Sequence, residues 1–294
     1  MRKVSSIFIL ALFVFASCTQ EITINLDKST PELVIDGAIT NEAKTHSIYL
    51  RKSGDYFQYQ QDLILYNALV QLTDGADTIT LTQINKNGGP YQTPADYKGV
   101  PGRTYTLLVS NVDVDSDGVM EKYQATCQML PLAPVDSISV EKKAMFRQDI
   151  WEVKLSMLDQ PKMRNFYLSR VYVNGVCKTD SINEWGISND EFFDGKYLVN
   201  ETIMFLRSRK PDEKVADGDE VILEVCGVTE DYMLYIYEVG NEFQGRNPLF
   251  GGQPANIRTN VKRIFPATKE VKGGRGYFAA YSVGWGKTTF KLMK

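Results

Sequence analysis

Residues 104–128 read TYTLLVSNVDVDSDGVMEKYQATCQ. The two arms of this stretch, 104–109 and 123–128, are rich in Val, Leu, Thr and Tyr, the residue types that favour strands. The acidic residues and the glycine between the arms are typical of a turn. The stretch therefore predicts a β-hairpin, and with it a β-rich domain.

The turn of this hairpin carries a pattern that is typical of calcium loops. Asp113, Asp115 and Asp117 stand at alternate positions before a glycine, so that their oxygens can converge on one Ca²⁺ ion. An EF-hand is disfavoured, because the twelfth loop position is Gln124 and because strands rather than helices flank the loop. Two interpretations stay open, a calcium-binding hairpin loop and a solvated acidic turn.

Short strands separated by turn residues are predicted along the rest of the chain as well. Asp74-Gly75 and Asn174-Gly175 are dipeptides that favour tight hairpins between such strands. In the first half the further strands are predicted at residues 33–35, 47–51, 69–73 and 78–83. In the second half they are predicted at residues 137–141, 152–157, 166–173, 197–205, 221–228, 276–283 and 288–292.

A proline-rich break divides this pattern into two predicted domains. Pro131 and Pro134 remove backbone donors and stiffen the chain, which suits a linker. Before the break, the number of short strands predicts an immunoglobulin-like β-sandwich over residues 18–130. After it, residues 135–294 predict a second β-rich domain with one helix near 229–243, where a Thr cap and two acidic residues precede apolar residues at helical spacing. The predicted fold class is mostly β.

Composition excludes several classes of function. The 294-residue chain is 43% apolar and carries a formal net charge of −3, so it can bury a core but has no basic field for nucleic acid. Its one histidine, His46, is interpreted as a surface residue rather than a catalytic one. No catalytic residue and no cofactor other than calcium is predicted, and we do not expect an enzyme. A pair of glycosidase carboxylates far apart in the sequence stays open.

The N-terminus is predicted to be a lipoprotein signal peptide over residues 1–17. Two basic residues precede ten consecutive apolar residues, 7–16, whereas a membrane span takes about 20. The sequence FASC at 15–18 is similar to a bacterial lipobox, with Phe15 where Leu is usual. Cys18 is therefore predicted to be acylated and to anchor the mature protein in a membrane, and an ordinary secretory signal is the alternative.

The residue after the acylated cysteine bears on localisation. Thr19 stands in place of the Asp that resembles an inner-membrane retention signal, so the outer membrane is predicted. Gln20-Glu21 resembles a surface-display signal only weakly. The side of the membrane that the protein faces, the surface or the periplasm, is left open.

Three further cysteines are Cys127, Cys177 and Cys226, an odd number that leaves at least one thiol unpaired. Alternation along the second hairpin arm places Cys127 on the apolar side with Tyr123 and Ala125. We expect buried free thiols that behave as small hydrophobic groups, and a disulfide is the alternative.

Aromatic residues supply the remaining candidate contacts. Tyr56, Phe57 and Tyr59 lie in a Gln-rich stretch that is predicted to be a loop, where they are candidates for contact with a ligand or partner. Packing of the loop onto the protein is the alternative. The three tryptophans, which lie at positions 151, 185 and 285, are interpreted mainly as buried residues.

Several segments together resemble one known family. The segments are 33–39, 99–105, 134–138, the predicted helix, 247–250, 254–257, 259–261, 273–278 and 280–282. In order and spacing, residues 18–290 resemble the Bacteroidota lipoprotein family catalogued as domain of unknown function 4249. The resemblance implies an accessory role beside a TonB-dependent outer-membrane transporter, and it supplies no catalytic residues.

These observations predict a non-enzymatic lipoprotein of the outer membrane that assists a TonB-dependent transporter in the uptake of a ligand or nutrient. The expected partners are the membrane, through the lipid anchor, and the transporter, and no nucleic acid. An envelope hydrolase that acts on a glycan or peptide is the alternative, and an adhesin-like structural protein is a third hypothesis. The sequence does not identify the ligand.

Overall fold

A computed structural model describes residues 30–54, 63–85, 88–145, 148–243, 256–266 and 273–292. Within these ranges the protein is mostly β with one α-helix, which confirms the predicted fold class. The strands are β1 Leu33–Thr40, β2 Ser47–Lys52, β3 Leu69–Thr73, β4 Thr78–Thr80, β5 Thr82–Gln83, β6 Tyr91–Gln92, β7 Thr104–Val112, β8 Glu121–Gln128, β9 Val135–Met145, β10 Gln148–Leu158, β11 Phe166–Val173, β12 Val176–Cys177, β13 Gly186–Asn189, β14 Tyr197–Arg207, β15 Glu220–Val228, β16 Val261–Phe265 and β17 Arg275–Thr289. The helix, α1, is Glu230–Phe243, and 3₁₀ turns span Ile182–Glu184 and Pro211–Glu213.

The described strands form three sheets. The largest has nine strands in the order β12-β11-β15-β17-β1-β2-β6-β5, with β13 also paired to β11. A five-stranded sheet has the order β16-β8-β7-β3-β4, and a three-stranded sheet has the order β14-β10-β9. The hairpin predicted first from the sequence is β7–β8, and alternate residues of both strands are buried.

Two hydrophobic cores lie between these sheets. In the first core, Ile35 and Ile48 of the nine-stranded sheet pack with Leu72 and Leu107 of the five-stranded sheet. This is the face-to-face arrangement of a β-sandwich. In the second core, β10 and β14 of the three-stranded sheet contribute with β11 and β15, and the buried Trp151 belongs to it. The nine-stranded sheet is thus shared by both cores.

Strand β17 connects the two halves of the chain. It pairs antiparallel with β15 on one side and parallel with β1 on the other. Phe278, Ala279 and Ala280 are all buried, as expected for a strand with both faces covered. The sequence predicted separate domains at 18–130 and 135–294, but strands from both segments share one sheet. The predicted boundary at 130–134 therefore falls inside a single compact unit, residues 31–294.

The same strand differs from its predicted form. The sequence predicts two strands here, at residues 276–283 and 288–292. In the structure β17 runs through this segment. A Cβ on Gly286 would lie 2.4 Å from the Cγ2 of Ile138, so the glycine allows β9 to pack closely over the strand rather than forming a turn.

The helix lies where the sequence placed it. The Thr229 hydroxyl accepts a hydrogen bond from the backbone N–H of Tyr232 at 3.3 Å, as expected for an N-cap. Tyr232, Met233 and Ile236 are buried in the first core. No helix in the described ranges has the length and apolar character needed to cross a membrane.

Candidate functional site

The acidic loop of the β7–β8 hairpin brings its three aspartates together. Asp113, Asp115 and Asp117 each place one carboxylate oxygen within 4.8 Å of the others. Asp113 also accepts hydrogen bonds from the backbone N–H groups of Asp117, at 3.1 Å, and Gly118, at 3.0 Å. The strands on both sides confirm that the loop is not an EF-hand.

Neighbouring groups bear on both interpretations of this loop. The Asp115 Oδ1 atom is shielded from solvent and has no hydrogen-bond partner in the described part of the chain. The Lys52 ammonium, however, lies 3.3 Å from the Asp113 carbonyl oxygen and brings a positive charge to the loop. Glu121 lies beside the loop as a buried carboxylate, which pairs with Arg263 at 2.6 Å and accepts the Tyr123 hydroxyl at 2.9 Å and the backbone N–H of the loop residue Val114 at 3.3 Å. Calcium binding at this loop stays a prediction.

Four of the predicted site residues lie outside the described residues. They are the proposed lipidation site and the three aromatic residues of the candidate contact loop: Cys18, Tyr56, Phe57 and Tyr59.

The three other cysteines are unpaired in the structure, as the sequence favoured. Cys127 and Cys226 are buried, whereas Cys177 is partly exposed. Burial raises the pKa of the Cys127 thiol and raises that of Cys226 well above its ordinary value. The two buried thiols therefore act as packing groups rather than nucleophiles.

The expectation of a surface position for His46 was wrong. Only 3% of this residue is exposed, and its Nε2 atom accepts the backbone N–H of Thr40 at 3.0 Å. Burial is the main cause that lowers its pKa to about 4, and the Lys44 ammonium adds to the effect. The imidazole is therefore neutral at pH 7. It holds the end of β1 against the segment that leads into β2, which is a structural role.

A group of aromatic and charged side chains that the sequence did not reveal lies on one face of the nine-stranded sheet. Glu224 on β15 is buried and accepts hydrogen bonds from Arg170 at 2.6 Å and from the Tyr172 hydroxyl at 2.8 Å, both on β11. The Arg170 guanidinium lies 5.0 Å from the ring centre of Trp185, a cation–π contact. Adjacent strands bring these residues together, since Arg170 on β11 pairs with Glu224 on β15 in register.

The group continues across β17. The rings of Tyr172 and Trp285 lie 5.7 Å apart, and the Trp285 indole N–H donates to Glu42 at 2.9 Å. Trp285 is 44% exposed, so this end of the row opens to solvent. We call the set Glu42, Arg170, Tyr172, Trp185, Glu224 and Trp285 the aromatic row.

A cavity of about 540 Å³ adjoins the aromatic row at Trp185. Its volume lies within the range of small-molecule sites, roughly 300–1,000 Å³. Lys210 pairs there with Glu184 and, at 2.8 Å, with Glu213. Around the cavity lie Thr179, Asn183, Glu184, Trp185, Gly186, Ile203, Met204, Phe205, Arg207, Lys210 and Glu213.

The lining of this cavity combines a tryptophan, aliphatic groups and charged hydrogen-bonding groups. That combination suits a small polar ligand with both hydroxyl groups and an apolar face, such as a saccharide. Trp185 was interpreted from sequence as one of several packing aromatics, and the three-dimensional contacts are what place it at a cavity. Nothing local in the sequence marks Arg207 or Lys210 as cavity residues, because the ion pair of Lys210 with Glu184 joins two turns that are 26 residues apart.

Comparison with known proteins gives one family match. The model of the family described as Domain of unknown function (DUF4249) matches residues 19–285. Among curated proteins, none matches the chain.

Proposed function

Since this chain belongs to the family described as Domain of unknown function (DUF4249), we propose that it is a non-catalytic, lipid-anchored protein that captures a ligand for a TonB-dependent transporter of the outer membrane. The lipobox-like sequence that ends at Cys18 supports the anchor. The resemblance of the sequence to lipoproteins encoded beside such transporters supports the partnership. Anchoring through Cys18 would keep the protein at the membrane that holds the transporter.

The observation that carries ligand capture is the cavity of about 540 Å³ at Trp185. Capture needs a concave site with an apolar surface and a few polar groups that orient the ligand. The indole of Trp185 supplies the first, and Arg207 and Lys210 supply hydrogen-bond donors. We propose a small saccharide as the ligand class, because sugars combine hydroxyl groups with a C–H face that packs on aromatic rings.

The carboxylates of the cavity support a binding role over a hydrolytic one. Glycoside hydrolysis takes two carboxyl groups, of which one donates a proton and the other acts as nucleophile or base. Glu184 and Glu213 both pair with the same ammonium, that of Lys210, and they raise its pKa. A carboxylate pair held by one cation is arranged to fix the cavity wall rather than to divide acid and base roles.

Ligand capture is tested with the purified mature chain and a short α-glucan, maltotriose. We expect tryptophan fluorescence to change on addition of maltotriose or of another saccharide in a panel of neutral mono- to trisaccharides. Trp185→Phe should abolish the change, whereas Trp285→Phe, on the same sheet face but outside the cavity lining, should keep it. A panel without response, or a response unchanged by Trp185→Phe, would contradict capture at this cavity. Appearance of hydrolysis products would instead favour the envelope hydrolase.

The partnership is tested in cells. After crosslinking and mild detergent extraction, the wild-type protein should copurify with a TonB-dependent transporter, and Cys18→Ala should reduce both membrane retention and copurification. Deletion of the gene should slow uptake of the transported nutrient. The accessory role would be refuted if no transporter copurified with the protein and the deletion strain took up the nutrient as fast as the wild type.

A further inference from the structure

A second group of aspartates, unrelated to the hairpin loop, lies at one end of the three-stranded sheet. Asp159 follows β10, and Asp190 and Asp194 lie in the connection from β13 to β14. One carboxylate oxygen of each residue lies within 4.8 Å of the others. Two loops that are distant in sequence thus bring three carboxylates to one point.

Two of these carboxylates are buried without a cation. Asp159 is fully buried and Asp190 is 3% exposed. Within the described ranges, no side-chain nitrogen of Lys, Arg or His lies within 4 Å of a carboxylate oxygen of Asp159, Asp190 or Asp194. Arg164, one of the two basic residues that line the adjoining cavity, instead faces Glu230 at 3.8 Å and the ring of Phe166. Burying like charges together is costly unless a positive charge compensates them.

Hydrogen bonds satisfy three of the four oxygens of the two buried carboxylates. Asp159 accepts the Tyr167 hydroxyl on Oδ1 and the Gly195 N–H on Oδ2 at 2.9 Å. The Oδ2 atom of Asp190 accepts the backbone N–H of Asn165 at 2.8 Å and its side-chain amide at 3.1 Å. The Oδ1 atom of Asp190 has no partner in the described part of the protein. Asp190 is thus only 3% exposed as a residue and keeps one carboxylate oxygen without a hydrogen bond.

A cavity adjoins the carboxylates of Asp190 and Asp194. It has a volume of about 370 Å³, and Asp190 and Asp194 both line it, together with Lys162, Met163, Arg164 and Glu191. The backbone N–H of Lys162 donates to Asp194 at 2.9 Å, which holds the third carboxylate toward the other two. The cavity has room for water molecules that would complete the coordination of an ion.

We infer that Asp159, Asp190 and Asp194 bind a calcium ion that holds the β10–β11 and β13–β14 connections together. All three ligands are hard carboxylate oxygens without a thiolate or imidazole among them, which favours Ca²⁺ or Mg²⁺ over transition metals. Calcium is favoured of the two, because it accepts irregular sets of six to eight oxygens, whereas Mg²⁺ demands near-ideal octahedral geometry. The ion supplies the positive charge that the buried carboxylates lack.

The experiment measures thermal unfolding of the mature chain, first treated with a chelator, with and without CaCl₂. Calcium at about 100 times its Kd should raise the midpoint of the wild-type protein by about 5 °C or more. Asp190→Asn and Asp194→Asn should each lose most of this rise. Asp194 is exposed, so its variant keeps the test decisive if Asp190→Asn fails to fold.

A matched control separates this site from the hairpin loop. The triple variant Asp113→Asn, Asp115→Asn, Asp117→Asn removes the other acidic group and should keep the rise produced by the Asp159–Asp190–Asp194 site. A calcium response that is lost in the triple variant and retained in Asp194→Asn would overturn the inference. Absence of any calcium response in the wild-type protein would overturn it as well.

Discussion

Lowering the pH from 7 to 4 is expected to destabilise this protein through His46, whose pKa is about 4 in the folded state against an ordinary 6.5. Because the folded pKa is depressed, the unfolded chain takes up the proton first as the pH falls. The contribution of His46 to stability is thus complete above pH 6.5, declines between pH 6.5 and 4, and is lost below that. At about 1.4 kcal/mol per pKa unit, the loss amounts to about 3 kcal/mol.

The structure explains why the folded protein resists protonation of this side chain. The Nε2 atom accepts the Thr40 N–H at 3.0 Å, so a proton on this nitrogen would face another donor. His46 is only 3% exposed as a residue, and its charged form would lose most of its hydration. The positive charge of Lys44 lowers the pKa of His46 further, and the negative charge of Glu42 offsets only part of this effect.

The measurement compares urea unfolding of the wild-type protein and His46→Gln at several pH values from 7 to 4. Carboxyl groups titrate in the same range, but they do so in both proteins and cancel in the difference between them. The stability of the wild type relative to the variant should fall by about 3 kcal/mol across this range. If the two proteins lose stability in parallel, the reasoning about His46 is refuted.

Three other substitutions or reactions test particular contacts. Gly276→Ala should destabilise the protein by more than about 1 kcal/mol, because φ is +75° and a Cβ would lie 2.0 Å from a β1 carbonyl oxygen; an unchanged urea midpoint would contradict this. Arg263→Met removes the guanidinium partner of the buried Glu121 and should cost about 3–5 kcal/mol in urea unfolding, whereas a loss below about 1 kcal/mol would show that the pair is dispensable. A thiol reagent such as dithionitrobenzoate should label Cys177 in the native protein much faster than Cys226, because burial raises the pKa of the latter; equal rates would be inconsistent with the structure.

Local signals in the sequence predicted the elements of this fold well. The segment 166–173 coincides with β11, and Asn174-Gly175, with φ values of 50° and 79°, forms the tight turn to β12. The helix at 229–243 corresponds to α1. The acidic pattern at 113–118 is the hairpin turn that it predicted. Each of these features depends on side-chain alternation, capping or turn chemistry within a few residues.

Long-range pairing accounts for what the sequence did not predict. The proline-rich break was interpreted as a domain boundary, because nothing local indicates that β1 pairs in parallel with β17. His46 was expected at the surface, since its burial depends on Thr40 and Thr93, which reach it from two separate segments. The 15-residue length of β17 was missed for a similar reason, because the close approach of β9 is what requires its glycines.

The candidate sites show the same difference between local sequence signals and long-range contacts. Local sequence patterns were enough to predict the mostly β fold, the helix and the hairpin with Asp113, Asp115 and Asp117, and the order of several segments was enough to predict the family. The three-dimensional arrangement was needed to show that Trp185 lies between Arg170 and one cavity, and that the carboxylates of two connections converge beside a second cavity. A turn or a strand is encoded by neighbouring residues, whereas such a convergence depends on strand order and register, and these are set by contacts between residues far apart in the chain.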